Sequence, residues 1–220
     1  MRTIRNETPA DYRAVEELTR LAFWNVNMPG CDEHYLVHIM RSHPDFIPEL
    51  DFVIEEDGKI VGNVIYTRAT LTGLSGRTKN ILTFGPLSVL PEYQRRGYGK
   101  ALLEHSFEKA VEMGFDTIVI FGNPENYYSR GFKNGSRFSV NLNDSNSYPV
   151  SLLVKELVPG ALNGEKWIYQ ESPLFEPPFF QPDSEEAKDF ENTFPPLPKE
   201  YRPSQELFYI YSHGRITLSE

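Results

Sequence analysis

The stretch QRRGYGK at residues 94–100 has the residue types and spacing to bind an anion. Its two glycines carry no side chains, so an anion can approach the neighbouring backbone N–H groups. A helix is predicted to begin here, and the first turn of a helix adds unpaired N–H donors and the positive end of its dipole. Two arginines and a lysine add positive charge. The stretch therefore predicts an anion site, and a diphosphate fits it better than a single carboxylate.

Two better-known phosphate loops do not match this stretch. The dinucleotide fingerprint requires a third glycine, but Leu102 stands at that place. The P-loop requires Ser or Thr after its lysine, but Ala101 follows Lys100. The anion is therefore not assigned to either of those nucleotide-binding classes.

The elements around the stretch must hold it in place. Residues 81–90 are predicted to form a strand that ends at Pro91, and residues 97–113 an amphipathic helix. Gly114 stands where a helix commonly ends with a glycine. The short apolar run at residues 117–121 predicts a strand in the interior of a sheet.

Upstream, the pattern predicts a short strand at residues 3–5 and a helix capped by Thr8, with Pro9 as its first residue. A second helix is predicted at residues 33–41. Asp57 and Gly58 accept positive φ, so they predict a hairpin turn between strands at residues 52–54 and 60–67.

Downstream, residues 123–130 predict a helical or turn segment, and strands are predicted at residues 132–140 and 151–158. Eight of the 17 prolines then fall between Ser172 and Pro203, interspersed with aromatic residues. A disordered tail would carry few aromatics, so this segment predicts an irregular arm that packs on the domain and ends in a strand at residues 207–211. Three roles stay open for the arm: capping an acceptor site, extending the core, or forming a homodimer contact.

In its context the hexapeptide becomes a specific signal. Gln94–Gly99 fits the pattern [QR]-x-x-G-x-[GA], preceded by LSVLPEY and followed by an amphipathic helix. The segment NPENYYSRGF begins at Asn123. Together they resemble motifs A and B of the GNAT superfamily, in a bacterial branch of predicted acetyltransferases. The resemblance covers roughly residues 1–160, which we expect to form the acetyltransferase domain, with residues 161–220 as an extension packed on it.

This resemblance implies a fold and a co-substrate. The fold is an α/β (α+β) GNAT fold, with a mixed, mostly antiparallel central sheet flanked by helices. Its two central parallel strands, here residues 81–90 and 117–121, splay apart around acetyl-CoA. Pantetheine would pair with the backbone of Leu87, Ser88 and Val89. The implied set of coenzyme A contacts is completed by Gln94, Arg95, Arg96, Gly97, Tyr98, Gly99, Lys100, Asn123, Asn126 and Tyr127.

The resemblance also implies a mechanism in which an amine attacks the thioester directly, without an acyl-enzyme. The motif B tyrosine, here Tyr127, would protonate the departing thiolate. Arg130 replaces the apolar residue common in the family before Gly-Phe, so a shift of one residue would select Tyr128 instead. Glu33 is the candidate base because its helix borders the acceptor site in similar proteins; other candidate acids are Glu49 and Asp51.

Composition narrows the functional class. The net charge of −9 argues against general nucleic-acid binding, which needs a basic surface. A single cysteine, Cys31, and an N-terminus with no apolar signal core predict a reducing, cytoplasmic setting and no membrane association. His34 and His38 share a helix face but have no clear third ligand, so no metal site is predicted.

The sequence thus predicts an acetyl-CoA-dependent N-acetyltransferase that acts on a primary amine, for which a small molecule is favoured over a protein because no peptide-binding motif is evident. The alternative is a GNAT-fold protein that binds or senses acyl-CoA without turnover. A third reading, a nucleotide-binding protein of another fold, predicts that ATP or NAD competes for the loop.

Overall fold

The computed structural model describes residues 1–218. Its helices are α1 (Tyr12–Phe23), α2 (Glu33–Met40), α3 (Tyr98–Glu112), α4 (Pro124–Tyr127), α5 (Glu185–Glu191) and α6 (Pro203–His213). Its strands are β1 (Arg2–Asn6), β2 (Phe52–Glu56), β3 (Lys59–Gly73), β4 (Thr78–Val89), β5 (Thr117–Phe121), β6 (Lys133–Asn134), β7 (Val140–Asn141), β8 (Ser147–Pro149), β9 (Leu152–Glu156), β10 (Trp167–Gln170) and β11 (Arg215–Thr217).

Nine of these strands form one mixed sheet in the order β1-β2-β3-β4-β5-β9-β6, with β10 paired to β3 and β7. Antiparallel pairs include β1–β2, β2–β3, β3–β10, β5–β9 and β6–β9, whereas β4–β5 and β7–β10 are parallel. The predicted mixed and mostly antiparallel sheet is therefore confirmed.

The two central parallel strands barely pair. The register of β4 with β5 joins a single pair of Cα positions, Leu82 and Ile118. A parallel ladder normally continues along the shared length of its strands. Here pairing stops one residue before Thr83, so backbone groups of both strands are left without each other as partners. This is the divergence predicted for the central strands.

The residues divide into two compact units. The first comprises Met1–Tyr66, Gly85–Ser106 and Pro173–Gln205. Its core includes Val15 of α1, Val37 and Met40 of α2, and Leu174 from the proline-rich arm, packed with Val53 and Ile65. Helix α3 approaches β3 closely, because a Cβ added at Gly62 would lie 3.3 Å from Leu102 Cδ1.

The second unit comprises Thr67–Phe84, Phe107–Ser172 and the chain from Glu206 onward. Its core packs one face of β3, β4, β5 and β9 against Trp167 and Tyr169 of β10. Trp167 is fully buried, and its indole N–H donates to Leu162 O at 3.2 Å. Strand β10 lay unrecognised in the sequence, because only four residues alternate there.

The hairpin predicted at Asp57 and Gly58 is confirmed. Both residues have positive φ, 51° and 80°, and they connect β2 to β3. Such φ values at both central positions match the right-handed twist of the flanking strands.

The first helix starts three residues later than predicted. Thr8 was expected to cap it, but α1 begins at Tyr12 after Asp11. The Asp11 carboxylate accepts hydrogen bonds from the Thr8 hydroxyl at 2.7 Å and from Arg5 Nη1 at 2.7 Å. These bonds hold residues 8–11 in a turn, which ends where the helix begins.

The predicted strand at residues 132–140 is wrong in its centre. The chain instead forms the short strand β6, a 3-10 turn at Gly135–Arg137, and β7. The Asn134 side chain accepts from Ser136 N–H at 3.1 Å, which starts the turn. A Cβ at Gly135 would lie 2.3 Å from Val140 O, so only glycine permits this close approach.

The predicted strand at residues 207–211 is wrong, because those residues belong to α6. The β-rich composition Leu-Phe-Tyr-Ile-Tyr misled the prediction. The decisive signals were Pro203 at the first helical position and Glu206 in the first turn, which both favour a helix start. Leu207 and Ile210 are more than half exposed on this helix.

Candidate functional site

The predicted anion loop lies in the first unit, between the end of β4 and the start of α3. Ala101 donates the first bond of the helix, to Gly97 O at 3.0 Å. The N–H groups of Tyr98, Gly99 and Lys100 precede that bond, so they have no acceptor within the helix. This geometry is that of an anion-binding helix N-terminus.

Backbone conformation explains the glycine at the centre of the loop. Gly97 has φ +88°, and nothing in the structure lies within 4 Å of the position its Cβ would take. Side chains rarely adopt this φ, and one placed here would extend into the space beside the free N–H groups. At Gly99 a Cβ would lie 3.7 Å from the side chains of Leu87 and Val89, an ordinary contact.

Side chains of the loop hold its backbone in place. The Gln94 amide donates to Val89 O at 3.0 Å and ties the loop to the end of β4. Tyr98 is 2% exposed; its hydroxyl donates to Glu56 Oε2 at 2.7 Å and the Arg2 guanidinium lies over its ring. Tyr98 therefore anchors the helix start, and only its backbone N–H is directed to a ligand role. This anchoring by Glu56 has no signal in the sequence.

The side chain of Ser88 points into the core of the same unit. Ser88 is fully buried, and its hydroxyl donates to Thr19 Oγ1 at 3.0 Å. Leu87 and Val89 are half-buried. A contact of Ser88 with pantetheine would therefore use the backbone, as the sequence analysis expects.

Tyr127 lies in the second unit, at the end of α4. Its ring packs against Phe84 and Phe132, each with a centroid separation of 5.7 Å. Gly122 permits this packing, since a Cβ there would lie 2.7 Å from Tyr127 Cε2. Burial, and secondly the neighbouring Tyr211, raises the pKa of Tyr127 to about 12. The phenol thus keeps its proton at neutral pH.

The other motif B residues differ in exposure. Asn123 caps α4, because its side chain accepts from Glu125 N–H at 3.0 Å. Asn126 is exposed, and Tyr128 is 49% exposed. Tyr127 is thus the tyrosine held by packing. The coenzyme A contacts expected of Asn123 and Asn126 stay predictions.

Glu33 is half-buried at the start of α2 in the first unit. Its carboxylate accepts from Asn27 Nδ2 at 2.9 Å. Burial raises the pKa of Glu33, although its hydrogen bonds act in the opposite direction. Asp51, another candidate acid, is 2% exposed; burial and the adjacent Glu7 raise its pKa to about 9.

The two helix histidines have separate partners. His34 Nε2 lies 2.8 Å from Glu191 Oε2, and His38 Nδ1 lies 2.9 Å from Glu16 Oε1. Within residues 1–218, no group of three or more His, Cys, Asp or Glu side chains is arranged to hold a metal ion.

Cys31 lies near a histidine and a carboxylate, an arrangement that could suggest a nucleophile. Its Sγ is 3.5 Å from His34 Nδ1, whose other nitrogen contacts Glu191. Burial, with nearby carboxylates, raises the pKa of the Cys31 thiol well above its usual range. The thiol is therefore protonated at neutral pH and is not an activated nucleophile.

The same cluster fastens the arm to the first unit. Arg20, with a side chain only 4% exposed, pairs with Glu191 of α5 at 2.6 Å. We expect Glu191→Ala to lower the free energy of unfolding by about 3 kcal/mol, because it leaves a buried guanidinium without a counter-charge. Urea unfolding measures this. Glu185→Ala is the control, since that side chain is 85% exposed and should change stability little; equal effects of the two would contradict the buried pair.

A family model now bears on this arrangement of loop and helix. The model described as "Acetyltransferase (GNAT) family" matches residues 15–133, more than half of the chain. The chain belongs to the GNAT acetyltransferase family. The matched part of this GNAT protein ends just after motif B, so β10, the proline-rich arm and α6 lie beyond it.

Relatives and solved structures agree with that membership. The GNAT protein is 36% identical over 87 residues to the N-acetyltransferase YjhQ of Escherichia coli K12, covering 39% of the chain and 47% of YjhQ. It is 27% identical over 131 residues to the Escherichia coli N-acetyltransferase YhbS, covering 59% of the chain and 72% of YhbS. The match thus spans about half the length of the first relative.

Two crystal structures share the fold. YhbS from Escherichia coli in complex with CoA has a TM-score of 0.67 at 23% identity, covering 79% of this chain and 91% of YhbS. A GNAT family acetyltransferase from Brucella melitensis in complex with acetyl-CoA has a TM-score of 0.61 at 22% identity, covering 80% and 99%.

The GNAT protein distributes its predicted site residues over both units. The first unit holds Leu87, Ser88, Val89 and the loop at 94–100, which the structure brings together, and also Glu33. The second holds Asn123, Asn126 and Tyr127, which lie together on and beside α4. Residues 1–218 contain no helix with the length and apolar character needed to cross a membrane.

Proposed function

We propose that this GNAT protein transfers an acetyl group from acetyl-CoA to the amino group of a small primary amine. The observation that carries the proposal is the loop at residues 94–100, where N–H groups precede the first helical bond beside an open position at Gly97. Successive N–H groups with nearby arginines suit a pyrophosphate. The proposal extends to residues 1–160 as the acetyltransferase domain and 161–220 as its extension.

The loop residues would share the binding of coenzyme A. Backbone N–H groups from Arg95 to Lys100 would hold the pyrophosphate, and the backbone of Leu87, Ser88 and Val89 would pair with pantetheine. An N–H near Val89 would stabilise the oxyanion that develops on the thioester, a contribution of ~2.7–4 kcal/mol per donor in other enzymes.

Tyr127 would act as the general acid. In the reaction the amine nitrogen bonds to the thioester carbon, the C–S bond breaks, and the Tyr127 phenol gives its proton to the sulfur. The raised pKa of Tyr127 supports this role, because a proton donor must arrive protonated. Glu33 would serve as the base that accepts a proton from the amine, and its raised pKa suits a group that must bind that proton.

A calorimetric titration of the purified chain with acetyl-CoA tests the proposal, with ATP and NAD as controls. Saturable binding of acetyl-CoA alone, followed by thiol release with at least one of 2-phenylethylamine, putrescine, glucosamine and lysine amide, is the expected result. Binding without transfer to any amine would favour an acyl-CoA sensor instead. Competition by ATP or NAD without acetyl-CoA binding would overturn the proposal.

A further inference from the structure

The second unit contains buried hydroxyl groups that lack hydrogen-bond partners. Tyr169 OH and Thr67 Oγ1 have none within the described part of the chain, although Tyr169 is 3% and Thr67 1% exposed. Leaving a buried hydroxyl unsatisfied costs ~1–3 kcal/mol. Groups of this kind call for an explanation beyond stability.

Both hydroxyls lie on one face of the sheet. Tyr169 of β10 is opposite Leu71 of β3, and side chains two residues apart on a strand point the same way. Thr67 follows that alternation along β3, and Glu171 follows it two residues after Tyr169. The face therefore carries a carboxylate next to two hydroxyls.

Tyr169 connects this face to the point where the central strands separate. Its pKa is raised mainly by burial and then by the charge of Glu171, whereas the Thr83 hydroxyl lowers it. Thr83 comes directly after the last β4–β5 pair, Leu82 with Ile118. The Tyr169 ring also lies 6.0 Å from the ring of Phe121, at the end of β5.

Glu171 is thus a half-buried carboxylate beside the divergence of β4 and β5, outside the part of the chain that the family model matches. Hydroxyls and a carboxylate are groups that accept hydrogen bonds from an ammonium ion. Phe121, 42% exposed, adds apolar surface beside them. This combination suits an amine with an apolar arm.

We infer that Glu171, positioned by Tyr169, is the carboxylate that takes the proton from the acceptor amine, in place of Glu33. The inference rests on the proposed function. Glu171 takes one proton from the ammonium and later releases it to solvent. The neutral nitrogen then bonds to the thioester carbon as the C–S bond breaks. The sulfur takes a proton from Tyr127, which regains one through solvent from the second N–H lost by the nitrogen.

Steady-state kinetics of Glu171→Gln and Glu33→Gln distinguish the two carboxylates, with acetyl-CoA and the fastest of the four amines named above. We expect Glu171→Gln to lower kcat/KM for the amine roughly 100-fold or more, the usual range for a general base, with acetyl-CoA affinity unchanged. Glu171→Asp should restore part of the rate. Glu33→Gln should stay within a few-fold of wild type.

Tyr169→Phe separates positioning from folding. The variant removes a buried hydroxyl without a partner, so its free energy of unfolding should not fall, while kcat falls at an unchanged KM for acetyl-CoA. Tyr66→Phe is the matched control: that hydroxyl lies 2.7 Å from Ser106 Oγ, so the variant should lose stability and keep kcat.

Each outcome decides between the inference and the function on which it rests. If Glu171→Gln keeps kcat within threefold of an active wild type, the inference is wrong and the proposed function stands. If the wild type binds acetyl-CoA but acetylates none of the amines, the proposed function is wrong and Glu171 has no reaction to serve. A large loss in Glu33→Gln with an active Glu171→Gln assigns the base to Glu33.

Discussion

Gly97→Leu is expected to weaken acetyl-CoA binding at least 100-fold. The position has φ +88° and open space where a side chain would extend, beside the free N–H groups of Tyr98, Gly99 and Lys100. A leucine side chain would occupy the volume required by phosphate. Each hydrogen bond to a charged group contributes ~1.5–3 kcal/mol, so loss of two corresponds to roughly two or more orders of magnitude in Kd. Isothermal titration calorimetry measures the change.

Gly76→Leu is a matched control for that experiment. Gly76 has the same φ, +88°, and likewise nothing within 4 Å of its Cβ position, but it lies in the turn between β3 and β4. Both substitutions impose the same backbone strain, since side chains rarely adopt this φ. Only Gly97→Leu should lose acetyl-CoA. Retained affinity in Gly97→Leu would remove the pyrophosphate assignment.

Tyr127→Phe is expected to lower kcat by roughly 100-fold or more, the usual contribution of a general acid. The variant keeps the ring that packs against Phe84 and Phe132, so acetyl-CoA affinity should change less than twofold. Because the pKa of Tyr127 is raised to about 12, deprotonation of this phenol should not reduce kcat in the neutral or mildly alkaline range. Thiol release against pH measures both effects.

Tyr128→Phe provides the comparison within the same motif. Tyr128 is adjacent in sequence but 49% exposed, so its hydroxyl should be dispensable. A loss of kcat in Tyr128→Phe with an active Tyr127→Phe would move the acid by one residue. Equal losses of kcat and cofactor affinity in Tyr127→Phe would make Tyr127 a binding residue instead.

Local patterns in the sequence were sufficient for the elements nearest the loop. Strand β5 was predicted at its observed bounds, and the hairpin at Asp57 and Gly58 is confirmed. These features depend on the residues themselves: glycine and aspartate accept positive φ, and a short apolar run between polar flanks suits an interior strand. The glycines and arginines of residues 94–100 likewise state their anion preference without reference to distant residues.

The interior of the proline-rich arm was not predictable in that way. Helix α5 is fixed by Glu191, which pairs with Arg20 across 171 residues of chain. Helix α6 replaced an expected strand, because β-rich composition is a weak preference that helix-start residues and packing override. Such choices depend on partners that no local window contains.

The sequence by itself determined the family, the anion loop and the order of the main elements, because each depends on residue types at short, fixed spacings. Tertiary structure decided which side chains are buried and what they face. It directed Tyr98 and Ser88 into the interior, held Tyr127 rather than Tyr128 in an aromatic cluster, and brought Tyr169 beside Thr83. These outcomes depend on long-range strand pairing and packing, which bring together residues far apart in the chain.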